Sequence, residues 1–130
     1  MHSKTSMRTP LNRVRGLGPA RSGTGHFWMQ RLTAVSNALL VFAFVGILIS
    51  MIGKPYEAAM ATLSQPVVAL LMLLFVISAL VHMRIGMQTI LEDYVHGELT
   101  KIIAVIANNF IAVAVGVVVV FSVLKIAFGG

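Results

Sequence analysis

Three apolar segments dominate this sequence, and each is long enough to cross a membrane. They occupy residues 32–52, 66–91 and 102–124. About 20 apolar residues in a helix span a hydrocarbon core of about 30 Å. The whole chain, with 58% hydrophobic and 11% charged residues, lies outside the composition of soluble globular proteins. Because a segment in lipid must satisfy its own backbone hydrogen bonds, the sequence predicts an all-α membrane protein with three transmembrane helices.

The chain divides into two parts of different composition. Residues 1–25 are basic, free of acidic residues and interrupted by glycine and proline, so we expect an irregular tail. Residues 26–130 form the predicted membrane domain. Its first span ends near Gly53 and Pro55, which stop helices, and its second begins at Pro66, a residue suited to a first helical turn.

The positive charges indicate an orientation in the membrane. Basic residues collect on the cytoplasmic or matrix side, so the N-terminus is predicted inside and, after three spans, the C-terminus outside. By the same reasoning four residues are expected at a similar depth near the inner surface: Arg31, Asp93, Tyr94 and His96. The net charge of +6 therefore reports topology and does not predict binding to nucleic acid. Six of the ten basic residues lie in the first 31 positions: Lys4, Arg8, Arg13, Arg15, Arg21 and Arg31.

The second span carries ionisable residues along one face. In a continuous helix Asp93, eleven positions after His82, falls about 20° around the axis and about 16 Å further along it. Ser78 and Gly86, four residues to either side of His82, share that face. Ionisable groups at membrane depth usually face a partner, a cofactor or a water-filled cavity.

His82 is a candidate ligand for haem iron. A neutral imidazole is a common haem ligand, and Gly86, one turn away, leaves room for a flat ring. The chain has no cysteine, which excludes iron–sulfur ligation and thiolate catalysis within it. His2 and His26 precede the first span and His96 follows the second. If a haem is bound with two axial ligands, the second is therefore expected from a partner subunit.

Each of these residues also has a simpler interpretation. A histidine in a transmembrane helix also hydrogen-bonds a neighbouring helix, which would give His82 a structural role. Tyrosine and arginine commonly anchor helix ends at the headgroups. Interfacial anchoring therefore remains open for Asp93, Tyr94 and Arg31.

Three further polar residues are expected to make contacts between helices. Asn108 and Asn109, early in the third span, are suited to interhelical hydrogen bonds. Arg84, about 200° around the helix from His82, is expected to face another helix or the headgroups.

The string HMRIGMQTILEDY, residues 82–94, together with the three-span plan, resembles the small cytochrome b-type membrane anchors of succinate dehydrogenase, respiratory complex II. In that family the second helix carries a histidine, a Gly-Met pair and a terminal Asp-Tyr pair at this separation. The stretch GTGHFWMQRLTAV, residues 23–35, is also similar to the family's entry into the first helix.

The resemblance implies a role for five residues. His82 matches the axial ligand of haem b, and Gly86 would pack against that haem. Tyr94 matches the tyrosine that hydrogen-bonds a ubiquinone carbonyl, and Asp93 matches the acid beside it. Arg31 matches the arginine near the haem propionates and the quinone site.

The resemblance also implies partners and a reaction. A flavoprotein subunit oxidises succinate, and an iron–sulfur subunit passes the electrons to ubiquinone. This chain would pair with a second membrane-anchor subunit in a heterodimeric bundle, share the haem and help to bind the quinone. The isolated chain is not expected to be catalytic. The bacterial inner membrane is the expected location, with the mitochondrial inner membrane as the alternative.

Two other functions stay open at this point. The same residues would serve a fumarate reductase anchor that uses menaquinol. Alternatively, the chain is a non-redox scaffold in which His82 and Asp93 only join helices. A transporter is disfavoured because no internal repeat and no interrupted span is visible.

Overall fold

The computed structural model describes Leu11 and residues 23–129, and residues 23–129 contain four helices. We number them α1 (Gly23–Met51), α2 (Tyr56–Leu63), α3 (Pro66–Tyr94) and α4 (Glu98–Ala127). The three long helices are apolar enough and long enough to cross a membrane, which confirms the predicted all-helical fold and its three candidate spans. Except for Leu11, the tail up to residue 22 lies outside the described residues.

The helix ends follow from local chemistry. After α1, Gly53 adopts a φ of +74°, a left-handed conformation that glycine tolerates and that stops a helix, as predicted. Pro66 lies in the first turn of α3, also as predicted. The α1 helix begins at Gly23, three residues before the expected domain boundary. The connection between α1 and α3 contains the short helix α2, which the sequence analysis did not identify.

The α3 helix is the centre of the fold, with α1 and α4 packed antiparallel on either side of it. On one side His82 faces Thr33 and Phe75 stacks on Phe44, with ring centroids 4.8 Å apart. On the other side Leu80 lies against Gly116. Within residues 23–129 the α1 and α4 helices do not contact each other. The three long helices therefore form an open layer and do not close into a bundle.

Very little of this layer is buried. Across the described residues, large apolar side chains such as Phe42, 79% exposed, and Phe110, 72% exposed, cover the outer faces. Lipid removes the hydrophobic driving force between helices, so small residues and interhelical hydrogen bonds must specify the packing. Four of the five buried residues in the described chain are small or form hydrogen bonds, and the fifth is apolar: Thr33, Ala69, Asn108 and Ala112, with Ile85 on α3.

Polar contacts join α3 to α4. The side-chain amide of Asn108, which is 9% exposed, donates a hydrogen bond to the backbone oxygen of Arg84 at 3.0 Å. The Arg84 Nε donates to Asn109 Oδ1 at 2.6 Å. Both asparagines thus bond across the helices, and Arg84 faces α4, as the sequence predicted. The approach is close, since a Cβ at Gly116 would lie 3.2 Å from Leu80 Cδ1.

We expect Asn108→Ala to destabilise this contact between α3 and α4. Interhelical hydrogen bonds in membrane proteins contribute roughly 0.5–2 kcal/mol, so the free energy of unfolding should fall by about that amount. Unfolding by SDS of the detergent-purified protein measures the change. Ser122→Ala is the control, because the Ser122 hydroxyl donates only within α4, to the Val118 carbonyl. An equal loss in both variants would contradict an interhelical role for Asn108.

Candidate functional site

A row of polar residues on α1 faces a row of small and polar residues on α3. The α1 residues are spaced three and four apart, and those on α3 four apart, so each row lies on one helix face. His82 therefore points into the contact between two helices of the same chain. We call this contact the polar seam, and its residues are Gln30, Thr33 and Asn37 on α1 and Ser78, His82 and Gly86 on α3.

His82 is held at the centre of the polar seam. Its Nδ1 lies 3.1 Å from the Oγ1 of Thr33, a residue that is only 7% exposed. The Ser78 hydroxyl donates to the backbone oxygen of Thr33 at 3.4 Å. The helix contact that the sequence left open for His82 is therefore present. Among residues 23–129 the other ring nitrogen, Nε2, makes no hydrogen bond, and no group of three metal-ligating side chains forms.

Gly86 allows α1 to approach α3 closely. A Cβ at this position would lie 3.3 Å from the Gln30 Nε2, which is tighter than most real Cβ contacts. The space that we expected beside Gly86 for a flat ring is thus occupied by the Gln30 amide. The structure assigns Gly86 a role in helix packing, and its contact with a haem stays a prediction.

Two buried oxygen atoms flank the pair of His82 and Thr33. Within residues 23–129, Gln30 Oε1 and Asn37 Oδ1 are both shielded from solvent and accept no hydrogen bond. A buried acceptor without a hydrogen-bond partner lowers the free energy of unfolding by about 1–3 kcal/mol, which is more than one ordinary hydrogen bond contributes. The polar seam therefore keeps unsatisfied acceptors beside the histidine. Three of these residues were not predicted from the sequence, although their spacing of three and four positions places them on one helix face: Gln30, Thr33 and Asn37.

Arg31 lies deeper along the helices than expected. Its guanidinium sits over the Phe27 ring, 4.6 Å from the centroid, in a cation–π contact. Because Gln30 meets Gly86 and Thr33 meets His82, Arg31 is level with the part of α3 between those two residues. Tyr94, eight residues after Gly86, is about 12 Å further along α3.

The common depth expected for the side chains of Arg31, Asp93 and Tyr94 stays a prediction, but the backbone of Arg31 is not level with Asp93 and Tyr94. The reason is that α1 continues for two turns before Arg31, to Gly23, so Arg31 lies inside the helix and not at its end. Arg31 also lies two residues before Thr33, about 200° around the helix, and so faces away from α3.

Asp93 and Tyr94 are the last two residues of α3 and project from it. Tyr94 is 77% exposed and Asp93 is also exposed. Because α3 is continuous from Pro66 to Tyr94, the predicted alignment of Asp93 with His82 on one face applies. Their polar groups are free to meet a ligand or another chain. A cavity of about 610 Å³ lies at the opposite end of the helices, lined in part by Tyr56, Ser64 and Lys125.

Known proteins match this chain along most of its length. The family described as succinate dehydrogenase/fumarate reductase transmembrane subunit matches residues 5–123, which include the polar seam and the Asp93–Tyr94 end of α3. The succinate dehydrogenase hydrophobic membrane anchor subunit of Paracoccus denitrificans is 31% identical over 121 residues, covering 93% of each chain.

Two further relatives carry similar descriptions. The succinate dehydrogenase membrane anchor subunit of Reclinomonas americana is 31% identical over 98 residues, or 73% of this chain and 82% of the relative. The succinate dehydrogenase hydrophobic membrane anchor subunit of Rickettsia bellii (strain RML369-C) is 27% identical over 117 residues, or 88% of this chain and 94% of the relative.

Proposed function

Because the chain belongs to the succinate dehydrogenase/fumarate reductase transmembrane subunit family, we propose that it is the anchor subunit of a succinate:ubiquinone oxidoreductase. In this proposal it attaches the flavoprotein and iron–sulfur subunits to the membrane, shares a haem b and helps to form the ubiquinone-reduction site. The observation that carries the haem assignment is the free Nε2 of His82, in a histidine whose Nδ1 is already hydrogen-bonded.

In this chain His82 would hold the haem iron through its Nε2. Metal-bound histidines almost always hydrogen-bond through the other ring nitrogen, which is the arrangement of His82 with Thr33. Among the described residues His82 is the histidine within the polar seam, and no group of three metal-ligating side chains forms. A further protein ligand to the iron would then come from the second membrane-anchor subunit. When bound, the haem supplies a one-electron redox centre within the membrane.

Arg31 is proposed to hold the haem propionates. Its backbone is level with the part of α3 between His82 and Gly86. Its guanidinium lies over the ring of Phe27, four residues nearer the Tyr94 end, on the side of α1 that faces away from α3. A guanidinium pairs well with carboxylates, since it offers several donors in a planar fork. Arg31 is also proposed for the quinone site, because its guanidinium extends toward the Tyr94 end even though the two backbones differ in depth by about 12 Å.

Tyr94 and Asp93 are proposed to bind the quinone. Reduction of a quinone to a quinol takes two electrons and two protons, so a proton donor must stand at the carbonyl oxygen. The Tyr94 phenol would donate a hydrogen bond there, and the Asp93 carboxylate would accept and return protons from water. Their exposure at the end of α3 supports this proposal, because a ligand or a partner subunit can reach both groups.

The open layer supports the proposed heterodimeric anchor. Within residues 23–129, α1 and α4 both contact α3 but not each other, so α3 is not enclosed by helices of this chain. A second membrane-anchor subunit that packs on α3 would complete a bundle and bring its own haem ligand close to His82. We further propose that the N-terminus faces the cytoplasm of a bacterium, the C-terminus lies outside, and the flavoprotein and iron–sulfur subunits sit on the N-terminal side.

The second candidate function is a fumarate reductase anchor that oxidises menaquinol. The description of the matching family names both succinate dehydrogenase and fumarate reductase, which favours keeping this second candidate. The residues proposed here would serve electron flow in either direction. The scaffold interpretation is the remaining alternative, since the His82–Thr33 bond by itself would also join α1 to α3.

The test is a reduced-minus-oxidised visible spectrum of the gently solubilised, affinity-purified complex, with the co-purifying subunits identified by mass. We expect a b-type haem signal together with a flavoprotein, an iron–sulfur protein and a second small membrane subunit. The same partners without haem would overturn the assignment of His82. The absence of both would favour the scaffold interpretation.

A further inference from the structure

We propose that Thr33 is a positioning residue for His82: its hydroxyl holds the imidazole with the proton on Nδ1, which leaves the Nε2 lone pair available to iron. The inference rests on the proposed function, in which His82 binds a haem. The inference is that Thr33 fixes the orientation and the tautomer of His82 before the haem binds.

The hydrogen bonds of Thr33 decide where the protons are. A hydroxyl has one proton to donate and two lone pairs that accept. Thr33 Oγ1 lies 2.7 Å from the Met29 carbonyl oxygen and 3.1 Å from the Gln30 carbonyl oxygen, and neither carbonyl can donate. The hydroxyl proton therefore goes to a backbone carbonyl of α1. A lone pair of the same oxygen is left to face His82 Nδ1 at 3.1 Å.

His82 must then donate from Nδ1. An unprotonated Nδ1 would set one lone pair against another at hydrogen-bond distance, while a protonated Nδ1 completes the bond. In a neutral imidazole only one nitrogen carries the proton, so Nε2 is the acceptor. This is the tautomer that binds a metal through Nε2. Nε2 has no hydrogen-bond partner within residues 23–129, so a metal would replace no internal contact there.

Contacts between α1 and α3 hold Thr33 in place. The residue is 7% exposed, and its backbone oxygen accepts the Ser78 hydroxyl at 3.4 Å. One turn away, Gly86 lets the Gln30 amide lie against α3. These contacts keep α1 close enough to α3 for the hydroxyl to reach the ring. Thr33 thus orients His82 across the seam between two helices.

The test compares two substitutions of Thr33 in the purified complex. Thr33→Val has nearly the same shape and lacks the hydroxyl, whereas Thr33→Ser keeps it. Thr62→Val is the matched control, because the Thr62 hydroxyl donates only to the Ala58 carbonyl of its own helix. The readouts are the haem content per flavin after dilution and the haem midpoint potential by spectrophotometric titration.

We expect Thr33→Val to weaken haem retention by about 10- to 100-fold, the usual effect of losing a partner of a metal-bound histidine. Its midpoint potential should rise, because an imidazole without the Nδ1 hydrogen bond donates less electron density and stabilises ferric iron less. Thr33→Ser and Thr62→Val should both stay close to the unmodified protein.

Each other result has a defined meaning. If His82→Ala loses the haem while Thr33→Val keeps both content and potential, the inference is wrong and the proposed function stands. If His82→Ala keeps an unchanged spectrum, the proposed ligand is wrong. Equal effects of Thr33→Ser and Thr33→Val would overturn the role of the hydroxyl. If Thr33→Val does not assemble, Thr33→Cys, with its weaker acceptor, must raise the potential, and an unchanged potential would overturn the inference.

Discussion

In the Tyr94→Phe variant, succinate-dependent reduction of ubiquinone is expected to fall by about 100-fold or more, the usual contribution of a positioned proton donor. The substitution removes only the phenolic oxygen. Tyr94 is 77% exposed at the end of α3, so its hydroxyl makes little contribution to folding of this chain. Oxidation of succinate with an artificial dye as acceptor should persist, since the dye takes electrons before they reach the quinone.

A matched control separates catalysis from packing. Tyr56→Phe makes the same chemical change at a tyrosine that is 75% exposed, at the other end of the helices. It should leave the reduction of ubiquinone unchanged. If Tyr94→Phe lowers the dye-linked and the ubiquinone-linked activities equally, Tyr94 supports assembly of the complex and does not bind the quinone.

The second large effect is expected from His82→Ala, which should remove the b-type absorbance from the purified complex. The side chain is the proposed axial ligand, and its loss also leaves the Thr33 oxygen without a partner. The chain should still insert and assemble in part, because each long helix is apolar enough to cross the membrane by itself.

His96→Ala is the control for this prediction. His96 lies between α3 and α4, outside the polar seam, and is exposed. The variant should retain the full haem signal. A reduced-minus-oxidised spectrum of equal amounts of complex, normalised to flavin, measures both variants. An unchanged spectrum in His82→Ala would reject this residue as the ligand and leave it as a helix contact.

The polar seam links these expectations to the stability of the fold. His82 is at once the proposed ligand and the centre of the contact between α1 and α3. Gln30 Oε1 and Asn37 Oδ1 remain buried without a donor on either side of it. A seam of this kind is less stable than an apolar contact of the same shape, since unsatisfied acceptors oppose packing.

Several features could be predicted from the sequence because they are local properties. The length of each apolar segment determines whether it can cross a membrane, and the absence of water requires it to be a helix. Helical periodicity also placed Ser78, His82 and Gly86 on one face, and it directed Arg84 to the opposite side, where it meets Asn109. None of these inferences needs the position of a second helix.

Only the tertiary structure decided which residues meet across that face. The register of α1 against α3 brings Thr33 to His82 and fills the space at Gly86 with Gln30. It also places Arg31 about 12 Å from the level of Tyr94. Periodicity gives the direction of a side chain about its own axis, but not the axial offset between two helices. That offset depends on the contacts of both helices together, and here it decides that the histidine is held by a neighbouring hydroxyl.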